Sequence, residues 1–221
     1  MKCDPMGKGD SPVRNAERLC LAHFWVAFAA FLAACILGTW QMWVRSPLGA
    51  KVGTPELYFM SVTAHGVSMA YVLTTLFIMG FGYFVAVTSL ARPLPGKALA
   101  WGAFWLAIIG VVLMAVPIAM GRATVLYTFY PPLTASALFY IGLVLVVVGS
   151  WVWCVLMLGA MGDWKRDNPG RPVPLAMFAT VANAVMWLWT TIGVAAELLF
   201  QVIPAALGLT ETIDVGLSRT L

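Results

Sequence analysis

The sequence predicts an all-α protein, a polytopic transmembrane bundle of five helices, and three observations predict it. Of its 221 residues 62% are hydrophobic, only 10% are charged, and the charges fall between long apolar runs. The mean hydropathy of +0.90 lies far outside the range of a soluble domain, in which roughly 45–50% of residues are apolar and about 25% charged. A water-soluble globule is therefore excluded. About 20 helical residues cross a hydrocarbon core of about 30 Å, and a span must satisfy its own backbone hydrogen bonds, which favours helices over barrel strands for runs of this length.

Residues 1–18 carry charge and read as a cytoplasmic tail. Residues 19–44 form the first span; the run is too long and too continuous for a cleaved signal peptide, so it is expected to remain as a helix. The second span, 57–91, is overlong and should tilt or project into water. The third and fourth cover 98–121 and 135–162, and the fifth covers 175–206, uncharged up to Ala196. Pro117 and Pro204 read as helix ends, where a lost backbone bond is tolerated. Residues 207–221 are too short and too polar for a further crossing. Nine Lys and Arg residues on the N-terminal side face four on the other, which places the N-terminus in the cytoplasm of a cell (inner) membrane. Trp40, Trp43, Trp101 and Trp164 stand where interfacial anchors are wanted.

The net charge of +4 and pI near 9.0 belong to these loops, because no segment has the clustered basic residues that nucleic acid requires. Cys3, Cys20, Cys35 and Cys154 form no CxxC pair and no dense spacing, which excludes a disulfide scaffold and leaves them as small packing residues.

Ionisable groups in hydrocarbon cost several kcal/mol and point to function. His65, in SVTAHGVSMAYVLTT, lies about two turns inside one end of the second span. Neutral imidazole is the commonest metal ligand, and the adjacent Gly66 would let a flat macrocycle approach the helix; the alternative is a histidine bonded to another helix. His23, the other histidine, is expected within about a turn of the opposite boundary, with its polar tip in the headgroups, too distant to share an iron with His65. Glu197, in VAAELLFQVIPAA, is flanked by apolar sequence and suits either proton handling or a wet interface. The segment GRATVLYTFYPPL between the third and fourth spans combines Arg122, Tyr127, Tyr130 and two prolines, and reads as a rigid lid.

AHGV in the second span, LYTFYPPL in this lid, KRDNPGRPVPL between the fourth and fifth spans and AAELLF in the fifth resemble subunit I of the haem–copper oxygen reductases, the B-class branch fitting best. The resemblance runs through essentially the whole chain. It implies a core of twelve to thirteen helices that takes electrons from a cytochrome c-type donor, reduces O2 to water and translocates protons. His65 then matches an axial ligand of the low-spin haem b, whose partner lies on the tenth helix, while Tyr127 and Tyr130 match tyrosines near the oxygen path. Glu197 matches a position without an assigned role. The high-spin haem and copper are expected only with further helices of subunit I, and subunit II is expected to supply a copper electron-entry site. The sequence ends where the family's sixth helix begins, which reads as a shortened rather than a naturally split subunit, inactive by itself. A cofactor-free structural or transport protein and a nitric oxide reductase relative are the alternatives.

Overall fold

A computed structural model describes residues 12–49, 52–129, 133–210 and 213. Its helices are α1 (Pro12–Val44), α2 (Pro55–Leu90), α3 (Lys97–Ala119), α4 (Ala137–Asp167) and α5 (Leu175–Ala206). Each is long and apolar enough to cross a membrane. Their ends differ from the ends of the uncharged runs. α1 starts seven residues before residue 19, because Pro12 presets a helical φ and the turns bearing Arg14, Glu17 and Arg18 continue the helix past the apolar stretch. α4 likewise continues through Lys165 and Arg166, cations that suit the negative end of a helix.

Thr54 starts α2: its hydroxyl accepts from the Leu57 N–H at 3.2 Å, Pro55 takes the first helical position and Glu56 the first turn. Two helices change winding midway. α2 passes through a π segment at Ser68–Leu73, and α5 through another at Leu198–Val202. Both prolines lie in the last turn of their helices, as expected: Pro117 is two residues before the end of α3 at Ala119, and Pro204 two residues before the end of α5 at Ala206, in the short helix that follows its π segment.

Close packing of α3 on α4 rests on glycine. A Cβ on Gly110 would stand 2.4 Å from the Gly142 carbonyl oxygen, and a Cβ on Gly142 would stand 2.6 Å from that of Gly110, so the backbones approach as they do at small-residue contacts in membranes. α4 is tied to α5 by two indole bonds, Trp151 Nε1 to Thr191 Oγ1 at 2.7 Å and Trp187 Nε1 to Ser150 Oγ at 2.8 Å. One core cluster, with Leu19, Tyr83, Trp153 and Met177, fills the end of the bundle where α1 begins. A second, with Leu76, Phe139, Leu143 and Leu198, fills the opposite end.

The lid between α3 and α4 closes that opposite end. Thr124 N–H donates to Thr134 O and Ser136 N–H to Arg122 O, both at 3.0 Å, which makes an isolated bridge between Ala123 and Ala135. Ala123, Val125 and Phe129 are buried beneath it.

Candidate functional site

His65 lies on α2 just before the π segment and against α1. Its Nδ1 is 2.8 Å from the carbonyl oxygen of Ala34. A carbonyl can only accept, so Nδ1 carries the proton and the neutral ring keeps its lone pair on Nε2. That nitrogen makes no hydrogen bond among the described residues, and the ring is half-buried. Gly38, one turn beyond Ala34 on the same face of α1, makes room for it: a Cβ there would meet His65 Cε1 at 3.1 Å and Nδ1 at 3.3 Å. The interhelical partner and the exposed nitrogen coexist, so the two readings of His65 left open by the sequence are compatible.

Gly66 is buried, and a Cβ there would fall 2.6 Å from Tyr127 Cδ1, so the tyrosine ring takes the space beside this glycine. Tyr127 is thereby fixed over α2, and Tyr71 of the π segment donates its hydroxyl to the Tyr127 carbonyl at 2.8 Å. The preceding residue is pinned too: the Leu126 N–H donates to Thr63 Oγ1 at 3.0 Å, although Leu126 holds φ 65°, a left-handed conformation costing about 1–2 kcal/mol for a side-chain-bearing residue. Thr63 is wholly buried and also donates to Phe59 O at 2.9 Å. Two turns of α2 therefore hold both the imidazole and the lid. Tyr130 lies outside the described residues.

Glu197 is buried at the junction between α5 and its π segment, within electrostatic reach of Tyr71 and Tyr140. Gln201, one turn on, is buried with neither amide atom hydrogen-bonded. These groups sit under the lid, and the structure does not join Glu197 to His65.

His23 is not interfacial. It is fully buried, because α1 packs it directly onto Gly80 of α2, where an added Cβ would stand 2.7 Å from His23 Cβ. Its Nδ1 donates to Leu19 O at 2.8 Å, and Phe104 and Tyr83 cover the ring at centroid distances of 4.8 and 5.6 Å. Eleven residues of α1, about 16 Å of rise, separate it from the carbonyl that holds His65, so the two imidazoles cannot bind one ion. Among the described residues no group of three His, Cys, Asp or Glu side chains could hold a metal.

The sequence left unmarked the residues that make this site: Ala34, Gly38, Thr63 and Tyr71. A small residue at position 38 and a hydroxyl at 63 are signals only once α1 and the lid are known to dock there.

Comparison with known proteins gives one consistent picture. The family model described as cytochrome C and quinol oxidase polypeptide I matches residues 18–221. Cytochrome c oxidase subunit 1 of Thermus thermophilus is 36% identical over 166 residues, which is 75% of this chain and 29% of that protein. A solved haem–copper terminal oxidase dimer contains a chain that superposes with a TM-score of 0.87 at 36% identity, covering 93% of this chain and 36% of that one. The chain thus spans about a third of the length of the relatives it matches.

Proposed function

The chain belongs to the cytochrome c and quinol oxidase polypeptide I family, and from that premise we propose that it forms the N-terminal part of the catalytic subunit of a terminal respiratory oxidase, with His65 as one axial ligand of the low-spin haem b. The observation that carries the assignment is the state of that imidazole. Nδ1 is committed to Ala34 O, and a ligating histidine held through its other nitrogen by a carbonyl has its tautomer and ring orientation fixed in advance. The residues present fit a haem in this respect, since they leave Nε2 as the one nitrogen able to bind iron.

The haem, when bound, supplies one-electron transfer at a potential tuned by ligand, burial and hydrogen bonding. This chain's part is to orient and insulate. Ala34 and Gly38 seat the ring, and Tyr127 packs on Gly66 beside it. Thr63 and Tyr71 hold the lid carrying Tyr127 and Tyr130, which line the oxygen path in this reading. The second axial ligand, the high-spin haem and the copper come from the further helices of subunit I, and electrons arrive from a cytochrome c-type donor through a copper centre on subunit II. Water is the product and proton translocation accompanies it. In this reading the protein is multi-pass in the cell (inner) membrane with its N-terminus in the cytoplasm, and these five helices by themselves do not reduce oxygen.

The test uses the full-length subunit purified with its partners. His65→Ala should abolish the bis-histidine low-spin haem spectrum and leave the high-spin haem in place. An unaltered low-spin spectrum in that variant overturns the assignment.

A further inference from the structure

The two π segments share one core cluster, through Val72 of the first and Leu198 and Val202 of the second. Polar groups gather where they meet. Glu197 immediately precedes the second segment and Gln201 lies inside it, while Tyr71 of the first segment and Tyr140 of α4 are the titratable groups within electrostatic reach of Glu197. Winding of this kind occurs inside helices mostly at functional positions, yet the haem assignment leaves Glu197 and Gln201 without a task.

The polar atoms here outnumber the partners that the helices give them. Gln201 is 6% exposed, and among the described residues neither its Oε1 nor its Nε2 has a hydrogen-bond partner. Ser136 is the N-cap residue of α4, a place where the hydroxyl ordinarily accepts from the first turn; it makes no such bond, and its Oγ is buried and unpartnered among the described residues. Tyr140 is one turn further along α4, and Phe129 of the lid covers its ring at a centroid distance of 5.8 Å. This start of α4 packs against the π segment of α5 and the short helix after it. A carboxamide buried without partners is strongly disfavoured, and protein interiors satisfy such groups with ordered water, each molecule making about three hydrogen bonds. The donor set selects water over an ion. Oε1 can only accept, Nε2 can only donate, and Oγ can do both, so a cation would leave the amide nitrogen unsatisfied and an anion the amide oxygen.

We propose that Gln201 and Ser136 bind a small cluster of water molecules beneath the lid, and that this cluster solvates the Glu197 carboxyl. Water donates to Gln201 Oε1 and accepts from Nε2, and the Ser136 hydroxyl completes the ring of partners from α4. Phe129 closes the cluster on the lid side. The buried carboxyl thus sits in a polar environment that its apolar neighbours in VAAELLF do not provide. The proposal does not rest on the haem assignment, since the structure does not join Glu197 to His65.

The experiment uses the full-length subunit purified with its partners and exposed to a brief X-ray pulse in heavy-oxygen water. Hydroxyl radicals made from internal water oxidise the side chains beside it, and mass spectrometry locates the label. Tyr140 is 2% exposed, so in wild type it should take up label from water held inside the protein. Gln201→Leu keeps an apolar side chain of similar size and offers no hydrogen bond, and it should lower the labelling of Tyr140 several-fold. Equal labelling of Tyr140 in wild type and Gln201→Leu overturns the proposal, as does a wild-type Tyr140 that takes up no label. Ser136→Ala is the smaller change and should lower the label in the same direction; if Gln201→Leu does not assemble, equal labelling in Ser136→Ala and wild type overturns the proposal instead. Assembly of both variants is checked by their haem spectra, which should match wild type.

Discussion

Gly38→Ala tests how the imidazole is held. The added Cβ would stand 3.1 Å from His65 Cε1 and 3.3 Å from Nδ1, whereas carbon contacts relax at about 3.5 Å or beyond. The ring must therefore retreat from α1 by about 0.4 Å. The Nδ1–H···O bond to Ala34, 2.8 Å in the structure, then stretches to about 3.2 Å, the outer edge of good N–H···O geometry. A neutral hydrogen bond is worth about 0.5–1.5 kcal/mol net, and that range bounds what the substitution removes.

The sign follows from what the bond does. Under the proposed assignment of His65 as an axial ligand, donation from Nδ1 makes that ligand more basic and favours the ferric state, so weakening the bond should raise the potential of the low-spin haem in the full-length enzyme. Were the whole bond felt only by the oxidised form, the shift would reach about 20–65 mV, at 59 mV per tenfold change for one electron. Stability should hardly move, because Ala gains about 1 kcal/mol over Gly in a helix and offsets the strain. Redox titration monitored at the low-spin haem reads the result. Gly102→Ala is the control, since a Cβ there meets nothing within 4 Å. A potential in Gly38→Ala that equals the control's, or that falls, refutes the reasoning.

Two further outcomes are expected. Thr63→Val removes the acceptor of the Leu126 N–H and should cost about 1–3 kcal/mol, seen as a lower melting temperature with faster hydrogen exchange in residues 123–129; unchanged exchange there would show that the lid is held by other contacts. Gly142→Ala puts a Cβ 2.6 Å from the Gly110 carbonyl oxygen and should destabilise by about 1–3 kcal/mol in a denaturant titration. Gly159→Ala, with open space around it, should be neutral or stabilising in the same titration.

The five crossings were legible because lack of charge over more than 20 residues has one physical explanation in a chain this apolar. Their ends were not. Hydropathy reports the thickness of the bilayer, whereas a helix stops where its backbone bonds stop, and α1 carries seven extra residues past its uncharged run. His23 reads as interfacial for a different reason: hydropathy does not show that Gly80, Tyr83 and Phe104 close over it. The π segments left no trace in the sequence, since any apolar stretch accepts either winding. At Gly66 the chemistry was read in isolation: a missing side chain implies a neighbour, and only the docking of the lid identifies that neighbour as Tyr127. Ala34 escaped for a similar reason, because its contribution is a backbone carbonyl 31 positions away in the chain.

The two histidines form an internal control on the proposed ligand. Each commits Nδ1 to a carbonyl of α1 at 2.8 Å, so each is set in the same tautomer with Nε2 bare. Tautomer choice therefore cannot distinguish them; access does. At His23 that nitrogen is buried, without a hydrogen-bond partner, and the ring is walled by Phe104 and Tyr83, so an iron approaching it would have to displace two aromatic rings from a core. At His65 the ring is only partly covered, and what lies against it on α1 is a glycine. A group completed by other helices can reach the second imidazole without disturbing the packing of the first five, and a ligand supplied to a shared site must have that property.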